Sequence, residues 1–99
     1  MFYHAPALVM VLTEVADGHP SNQAIEDCCL AAENLMQAAR DEGIGSCWIG
    51  LSRPWLNLLS TKKELALPQS CQIVAPIVLG YPRGWPETHR RNNANIPWI

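Results

Sequence analysis

The chain is 99 residues long, which allows one small domain and excludes a multidomain enzyme. Hydrophobic residues make up 48% of the chain and charged residues only 16%, which excludes a disordered protein. The formal net charge of −2 provides no general attraction to a polyanion, so we expect no nucleic-acid partner.

The first two predicted elements are a strand and a long helix. Residues 7–13 form a short apolar run between turn-forming residues, which is typical of a buried strand. Residues 22–42 carry apolar side chains at helical spacing, with Ser21 or Asn22 as the cap and Gly43 as the residue that ends the helix. The opposite helix face is also small and apolar, which indicates burial against either a second subunit or a tightly packed monomer core.

Two more strands and two short helices follow. Residues 45–51 predict a strand, and residues 54–60 predict a short helix that starts with proline. Residues 61–64, TKKE, fit a capping box and predict the start of another helix. Residues 71–79 predict the third strand, and Pro76 within it indicates either an edge position or a β-bulge.

The rest of the chain, residues 82–99, is rich in proline and asparagine and has no periodicity. We predict an extended tail over residues 83–99, which docks on a surface because Trp85 and Trp98 would otherwise be exposed. The whole order predicts an α/β (α+β) fold with a three-stranded sheet, one long central helix, short helices and an extended C-terminal tail.

Cysteine spacing and hydropathy indicate the cellular compartment. No two cysteines have C-x-x-C spacing and no histidine lies near them, so we predict reduced thiols and no metal site. The apolar run at residues 5–12 is too short to span a bilayer. We therefore expect a cytoplasmic protein without a membrane segment.

The candidate functional features are a glycine-rich stretch and a pair of arginines. Residues 43–50, GIGSCWIG, have tryptophan where a dinucleotide fingerprint needs glycine, and by themselves they indicate only a helix end and a strand entry. Arg90 and Arg91 are suited to bind a phosphate through bidentate contacts, although a solvated pair is the alternative. No spacing in the sequence indicates a catalytic residue.

Four segments resemble motifs of one family, in the same order and at similar separations. They are FYHAPALV at residues 2–9, DCCLAAENLMQAA at 27–39, EGIGSCWIG at 42–50 and VAPIVLGYP at 74–82. Each is weak alone. Together they are similar to the strand entry, central helix, glycine-rich turn and last core strand of the nitroreductase superfamily, so the chain resembles the C-terminal half of that fold.

The resemblance implies an oxidoreductase that binds FMN without a covalent bond. Such a protein passes electrons from NADH or NADPH to a nitro compound or a quinone, and it is a homodimer with the flavin at the interface. Carried over by position, four residues would line the flavin ring: Cys47, Trp48, Ile49 and Gly50. Arg90 and Arg91 would reach the FMN phosphate, and the tail would lie across the partner subunit.

One departure from the family limits this expectation. Full members carry an N-terminal segment with an arginine- and serine-rich motif that holds the phosphate and ribityl chain, and these 99 residues contain no counterpart. We therefore expect an activity that is impaired or that depends on the missing segment. The alternatives are a non-enzymatic truncated protein that dimerises and binds a partner or another small ligand, and a purely structural module.

Overall fold

The computed structural model describes residues 1–99 and contains three strands, one long helix and two short ones. In chain order the elements are β1 (Ala7–Glu14), α1 (Asn22–Asp41), β2 (Gly45–Trp48), a 3₁₀ turn (Gly50–Ser52), α2 (Arg53–Leu56), α3 (Leu59–Glu64) and β3 (Cys71–Gly80). The strands form one antiparallel sheet in the order β1–β3–β2. The predicted α/β (α+β) fold is confirmed.

The ends of α1 follow the capping residues that the sequence provides. The Oγ of Ser21 accepts a hydrogen bond from the Ala24 N–H at 3.1 Å, which satisfies one of the unpaired donors of the first turn. Gly43 has a φ of +73°, and its N–H donates to the Arg40 carbonyl at 3.0 Å. A left-handed glycine therefore ends the helix where it was predicted to end.

The core forms where α1 packs on one face of the sheet. Ala32 of α1 meets Ala75 and Ile77 of β3, and all three residues are fully buried. Because the alanines are small, the helix approaches the central strand closely. Partly buried side chains surround this cluster: Val11, Leu35, Met36, Trp48 and Leu79.

The core is small for a chain of this length. Only 15 of 99 residues are buried, and the accessible surface is 8001 Å². A compact monomer of this mass would expose about 5,600 Å², so the excess is roughly 2,400 Å². One subunit contributes a similar area, roughly 1,000–2,500 Å², to a large obligate interface.

The strand β1 lies at an edge of the sheet, and the prediction that it is buried is wrong. It pairs with β3 alone, and none of its 8 residues is buried. The central position belongs to β3, whose first eight residues are buried with one exception. An apolar run therefore indicated a strand correctly, but burial depends on which strand has neighbours on both sides.

The sequence offers two explanations for Pro76 within a strand. The edge position is wrong, because β3 is the central strand. The bulge is confirmed, because the register shifts between Val11 and Leu12 of β1 and leaves Val74 of β3 without a partner.

Pro76 also ends β2, which is shorter than the predicted strand over residues 45–51. The Ile49 N–H donates to the Pro76 carbonyl at 2.8 Å, but the proline has no N–H to donate in return. The Ile49 carbonyl accepts instead from the Ser52 N–H at 3.1 Å and the Ser52 Oγ at 2.7 Å. The chain therefore leaves the sheet at Gly50 and enters the 3₁₀ turn.

Asn57 completes the sheet beyond the end of β2. Its Nδ2 donates to the Ile73 carbonyl at 3.0 Å, and its Oδ1 accepts from the Ile73 N–H at 2.9 Å. The side-chain amide thus makes both bonds that a residue of a neighbouring strand would make. A third bond, from Nδ2 to the Arg53 carbonyl at 3.0 Å, fixes the amide against α2.

The bounds of the short helices differ from the prediction. The helix predicted over residues 54–60 ends at Leu56, and the predicted capping box at residues 61–64 is wrong. Helix α3 begins two residues earlier, at Leu59, so Thr61 lies inside it and is buried. The burial of Thr61 against the rest of the chain outweighs the local capping signal.

A buried lysine connects α3 to the start of β3. Lys62 is only 5% exposed, and its Nζ donates to the carbonyls of Gln69 and Cys71. These two hydrogen bonds offset part of the free energy that is lost when the charged ammonium group is removed from water.

Residues 81–99, here called the C-terminal arm, contain neither helix nor strand, as predicted. Trp85 packs on α1, where the Cζ of Arg40 lies 3.4 Å from the indole centroid. Trp98 is 89% exposed, and Ile99 is also exposed. The predicted docking of the arm is therefore found at Trp85, whereas the side chains at the end of the arm are exposed.

We expect the substitution Asn57→Ala to lower the free energy of unfolding by about 1–3 kcal/mol, because it removes both partners of the Ile73 backbone. Urea denaturation followed by circular dichroism measures the change. Gln37→Ala is the control, because Gln37 bonds only to the exposed Glu33 carboxylate. Equal midpoints for the two variants would contradict a structural role for Asn57.

Candidate functional site

A cleft of 580 Å³ lies where β2 begins and β3 ends. Three chemically distinct side chains are among its lining residues, namely the imidazole of His4, the thiol of Cys47 and the guanidinium of Arg83. The cleft is open to solvent on one side. It brings residues from both ends of the chain to the first residues of β2.

A strained turn forms one wall of this cleft. Tyr3 and His4 have φ values of +53° and +56°, and the Ala5 N–H donates to the Phe2 carbonyl at 3.0 Å. The left-handed conformation costs a non-glycine residue roughly 1–2 kcal/mol. The rings of Phe2 and Trp55, with centroids 6.4 Å apart, hold the turn against α2.

A second cavity, of 670 Å³, lies between the end of α1 and the C-terminal arm. Arg40, Ser46 and Arg91 are among the residues that line it. No acidic side chain lines this cavity. Trp85 lines the same cavity and stacks on Arg40. This stacking contributes about 0.5–1 kcal/mol at an exposed site and holds the arm against the helix.

The two cavities are adjacent. They share three lining residues, Gly45, Ser46 and Pro82, at the start of β2. The first residues of the edge strand β2 therefore line both cavities.

A third, smaller cleft lies at the other end of β2. It measures 340 Å³ and includes Gly50, Arg53, Asn57 and Gln72. Gly50 has no positive φ, and an added Cβ would meet no atom closer than 4.0 Å. Neither the conformation nor the packing of this chain requires glycine at that position, so the backbone is open to an approaching ligand.

The structure separates the four residues that the resemblance places around a ring. Cys47 is exposed in the first cleft, whereas Trp48 packs against the core beneath α1. Side chains alternate along a strand, so these two neighbours point to opposite faces. Ile49 is buried, and Gly50 lies in the third cleft.

The two predicted phosphate ligands share one cavity but not the other. Arg91 lines the cavity beneath the arm, and both Arg90 and Arg91 line a cavity of 350 Å³ with Asn92 and Asn93. The structure therefore brings Arg91, but not Arg90, to the cavity at the start of β2.

Three basic residues that line these cavities were missed in the sequence, namely Arg40, Arg53 and Arg83. Arg40 lies three residues before Gly43, and Arg53 lies three residues after Gly50. Both therefore directly flank the glycine-rich stretch over residues 43–50, and this proximity is the signal that could have identified them.

The four cysteines are free thiols in two environments. Cys28 and Cys71 are buried, and Cys29 and Cys47 are exposed. Burial raises the pKa of the Cys28 thiol above its usual value, and the neighbouring Cys29 and Asp27 raise it further. Cys28 is therefore a weaker nucleophile than an ordinary thiol at neutral pH.

Two other kinds of site are absent from residues 1–99. No three His, Cys, Asp or Glu side chains gather closely enough to hold a metal ion. No helix has the length and apolar character needed to cross a bilayer.

Comparison with known proteins relates the chain to one family. The sequence profile of the nitroreductase family matches residues 1–81. A curated relative from Archaeoglobus fulgidus, named "Putative NADH dehydrogenase/NAD(P)H nitroreductase", is 30% identical over 77 residues. The match covers 78% of this chain and 44% of the relative.

Solved structures give the same result. A nitroreductase with bound FMN from Bacteroides fragilis superposes with a TM-score of 0.74 at 30% identity, covering 99% of this chain and 52% of that one. A protein from Parabacteroides distasonis, again named "Putative NADH dehydrogenase/NAD(P)H nitroreductase", gives 0.70 at 26% identity, covering 90% and 52%. The chain spans about half the length of the relatives it matches.

We expect an alkylating reagent at neutral pH to modify Cys29 and Cys47 much faster than Cys28 and Cys71. Burial limits access, and the raised pKa of Cys28 leaves less of the reactive thiolate at any given pH. Mass spectrometry of fragmented peptides distinguishes Cys28 from its neighbour Cys29, which is the internal control. In urea all four should react, and equal rates at Cys28 and Cys29 without urea would contradict the described packing.

Proposed function

The chain belongs to the nitroreductase family, and on that premise we propose that it forms the C-terminal half of a nitroreductase-like oxidoreductase. The proposed reaction is electron transfer from NADH or NADPH to a nitro compound or a quinone by way of FMN. The relative crystallised with FMN, 30% identical over nearly all of this chain, supports FMN as the cofactor.

FMN, when bound, supplies the redox chemistry, and the protein orients it and excludes competing reactions. The residues of this chain therefore have a binding role in the proposal. This role is consistent with the absence of a recognisable catalytic residue in the sequence.

The proposed contacts to the flavin ring come from the segment over residues 47–50. Gly50 offers open backbone, and Cys47 offers an exposed side chain. Trp48 and Ile49 have side chains directed into the protein, so in this proposal they contribute through the backbone and by fixing the strand.

The proposed contacts to the phosphate come from Arg90 and Arg91. Arg91 lines the cavity at the start of β2, and no carboxylate lies in that cavity to compete for its guanidinium. A guanidinium binds a phosphate through two parallel hydrogen bonds. Arg90 lines a smaller cavity that it shares with Arg91.

One observation carries the proposal, namely the order of these features along β2. The open glycine follows the end of the strand, and the basic cavity lies at its beginning. Five residues separate Gly45 from Gly50, which corresponds to about 16–18 Å of extended chain. An elongated ligand with a ring at one end and a phosphate at the other suits this arrangement.

We further propose that the protein is a cytoplasmic homodimer. The excess surface includes Leu51, which is 93% exposed, and Trp98, which is 89% exposed. Large exposed apolar side chains of this kind mark interaction surfaces. Four free thiols suit a reducing compartment.

A second candidate function is a non-enzymatic protein that dimerises and binds a partner or another small ligand. The observation that favours it is the separation of the candidate residues among four open cavities. In that case the fold would be retained as a scaffold without a complete flavin site.

We expect the purified chain to bind FMN with a Kd in the micromolar range, which corresponds to about −8 kcal/mol. Loss of one charge-assisted contact in Arg91→Ala should weaken binding about tenfold or more. Quenching of flavin fluorescence measures both affinities, and NAD(P)H-dependent reduction of a nitroaromatic compound then tests the reaction.

Lys63→Ala is the matched control, because it removes one exposed positive charge from α3, away from all three cavities. The absence of FMN binding at millimolar concentration would exclude the flavin site in this chain and would support the scaffold function.

We expect Gly50→Ala to weaken FMN binding while leaving the free energy of unfolding unchanged within about 0.5 kcal/mol. The added methyl group has space in the chain itself, so only a ligand lying against the backbone would meet it. Gly43→Ala is the contrast, because a φ of +73° should make it destabilising by about 1 kcal/mol. Unchanged FMN affinity in Gly50→Ala would place the flavin elsewhere.

A further inference from the structure

The cavity between the end of α1 and the C-terminal arm contains a basic residue that the proposed function does not use. Arg40 lines this cavity together with Arg91 and Ser46. We propose that Arg40 is a further guanidinium ligand, beside Arg91, of the phosphate monoester that the proposed function assigns to this cavity. The inference rests on the proposed function, because the phosphate group of FMN would be the ligand.

The stacking on Trp85 fixes the guanidinium of Arg40 for this role. The Cζ atom lies 3.4 Å from the indole centroid, so the indole occupies the face of the guanidinium. The N–H donors of a guanidinium lie in its plane and point outward from its edge. Stacking on the indole therefore leaves the N–H donors free at the edge of the guanidinium. In this proposal the phosphate oxygens accept hydrogen bonds from these donors.

The charges in the cavity favour an anion. Arg40 belongs to the last turn of α1, where the helix dipole contributes a partial charge of about −0.5 that repels an anion. Two full positive charges, on Arg40 and Arg91, outweigh that partial charge. No acidic side chain lines the cavity to neutralise them.

The other residues that line the cavity suit the organic part of a phosphate monoester. Met36 and Ile44 provide apolar surface, and Ser46 provides a hydroxyl group. The volume of 670 Å³ lies within the range of about 300–1,000 Å³ typical of small-molecule sites. Through Gly45 and Ser46 the cavity adjoins the cleft of Cys47, so a chain attached to the phosphate has a route toward the proposed ring site.

In this proposal Trp85 is a positioning residue. It is 45% exposed and packs on Arg40 at the point where the arm leaves the sheet. It thereby orients Arg40 and also keeps Arg91, six residues further along the arm, over the cavity.

The test compares FMN with riboflavin, which has the same ring but no phosphate. We expect Arg40→Ala to weaken FMN binding by about ten- to a hundredfold, the loss of one charge-assisted contact, and to leave riboflavin binding unchanged. Arg40→Lys should restore only part of the affinity, because an ammonium group lacks the bidentate fork. Trp85→Phe should bind FMN nearly as well as the wild type, and Trp85→Ala should bind it more weakly.

Lys63→Ala provides the control for net charge, and thermal melting confirms that each variant is folded. Unchanged affinities for both FMN and riboflavin in Arg40→Ala would overturn the inference and leave the proposed function intact. Equal losses for both ligands would also overturn it, because they would indicate a structural role.

Binding of phenyl phosphate, followed by ³¹P nuclear magnetic resonance, separates the inference from the proposed function. If the wild-type chain binds phenyl phosphate in an Arg40-dependent manner but does not bind FMN, the phosphate site stands and the flavin function fails. If it binds neither compound, both are overturned.

Discussion

The absence of one N–H group, at Pro76 in the central strand, determines how the chain is arranged around its candidate site. The proline carbonyl accepts a bond from Ile49, but no bond returns, and Ser52 satisfies the Ile49 carbonyl instead. The pairing of β2 with β3 therefore stops, and the backbone turns out of the sheet at Gly50. Asn57 then satisfies the next exposed backbone groups of β3 with its side chain. The open glycine thus follows from a hydrogen bond that the central strand is unable to donate.

Features that depend on neighbouring residues were predictable from the sequence. The cap at Ser21 and the end at Gly43 fix α1, and the apolar runs identify the strands. The errors arose where distant parts of the chain meet. Thr61 is buried within α3, so its capping signal does not operate, and β1 is an edge strand although its sequence is apolar.

In the candidate site, too, features that depend on neighbouring residues were predictable, and features that depend on distant contacts were not. The glycine-rich stretch and the arginine pair were identified from the sequence, by resemblance, but their side-chain directions were not. Alternation along β2 directs Cys47 to one face and Trp48 to the core on the other. Arg40 was missed because its partner, Trp85, is 45 residues away in the chain and meets it only in the folded structure.

The topology of the sheet has a consequence for the order in which the protein forms. Both β1 and β2 pair with β3, and they do not pair with each other. During synthesis β3 leaves the ribosome after β1 and β2, so within this sheet neither strand has its hydrogen-bonding partner until residues 71–80 have emerged. Until then β1 is an unpaired apolar strand whose only charged residue is Glu14, and such strands are prone to aggregation. A nascent chain of this protein is therefore expected to depend on α1, the longest element stabilised by local contacts, or on a chaperone to cover β1 until the sheet closes.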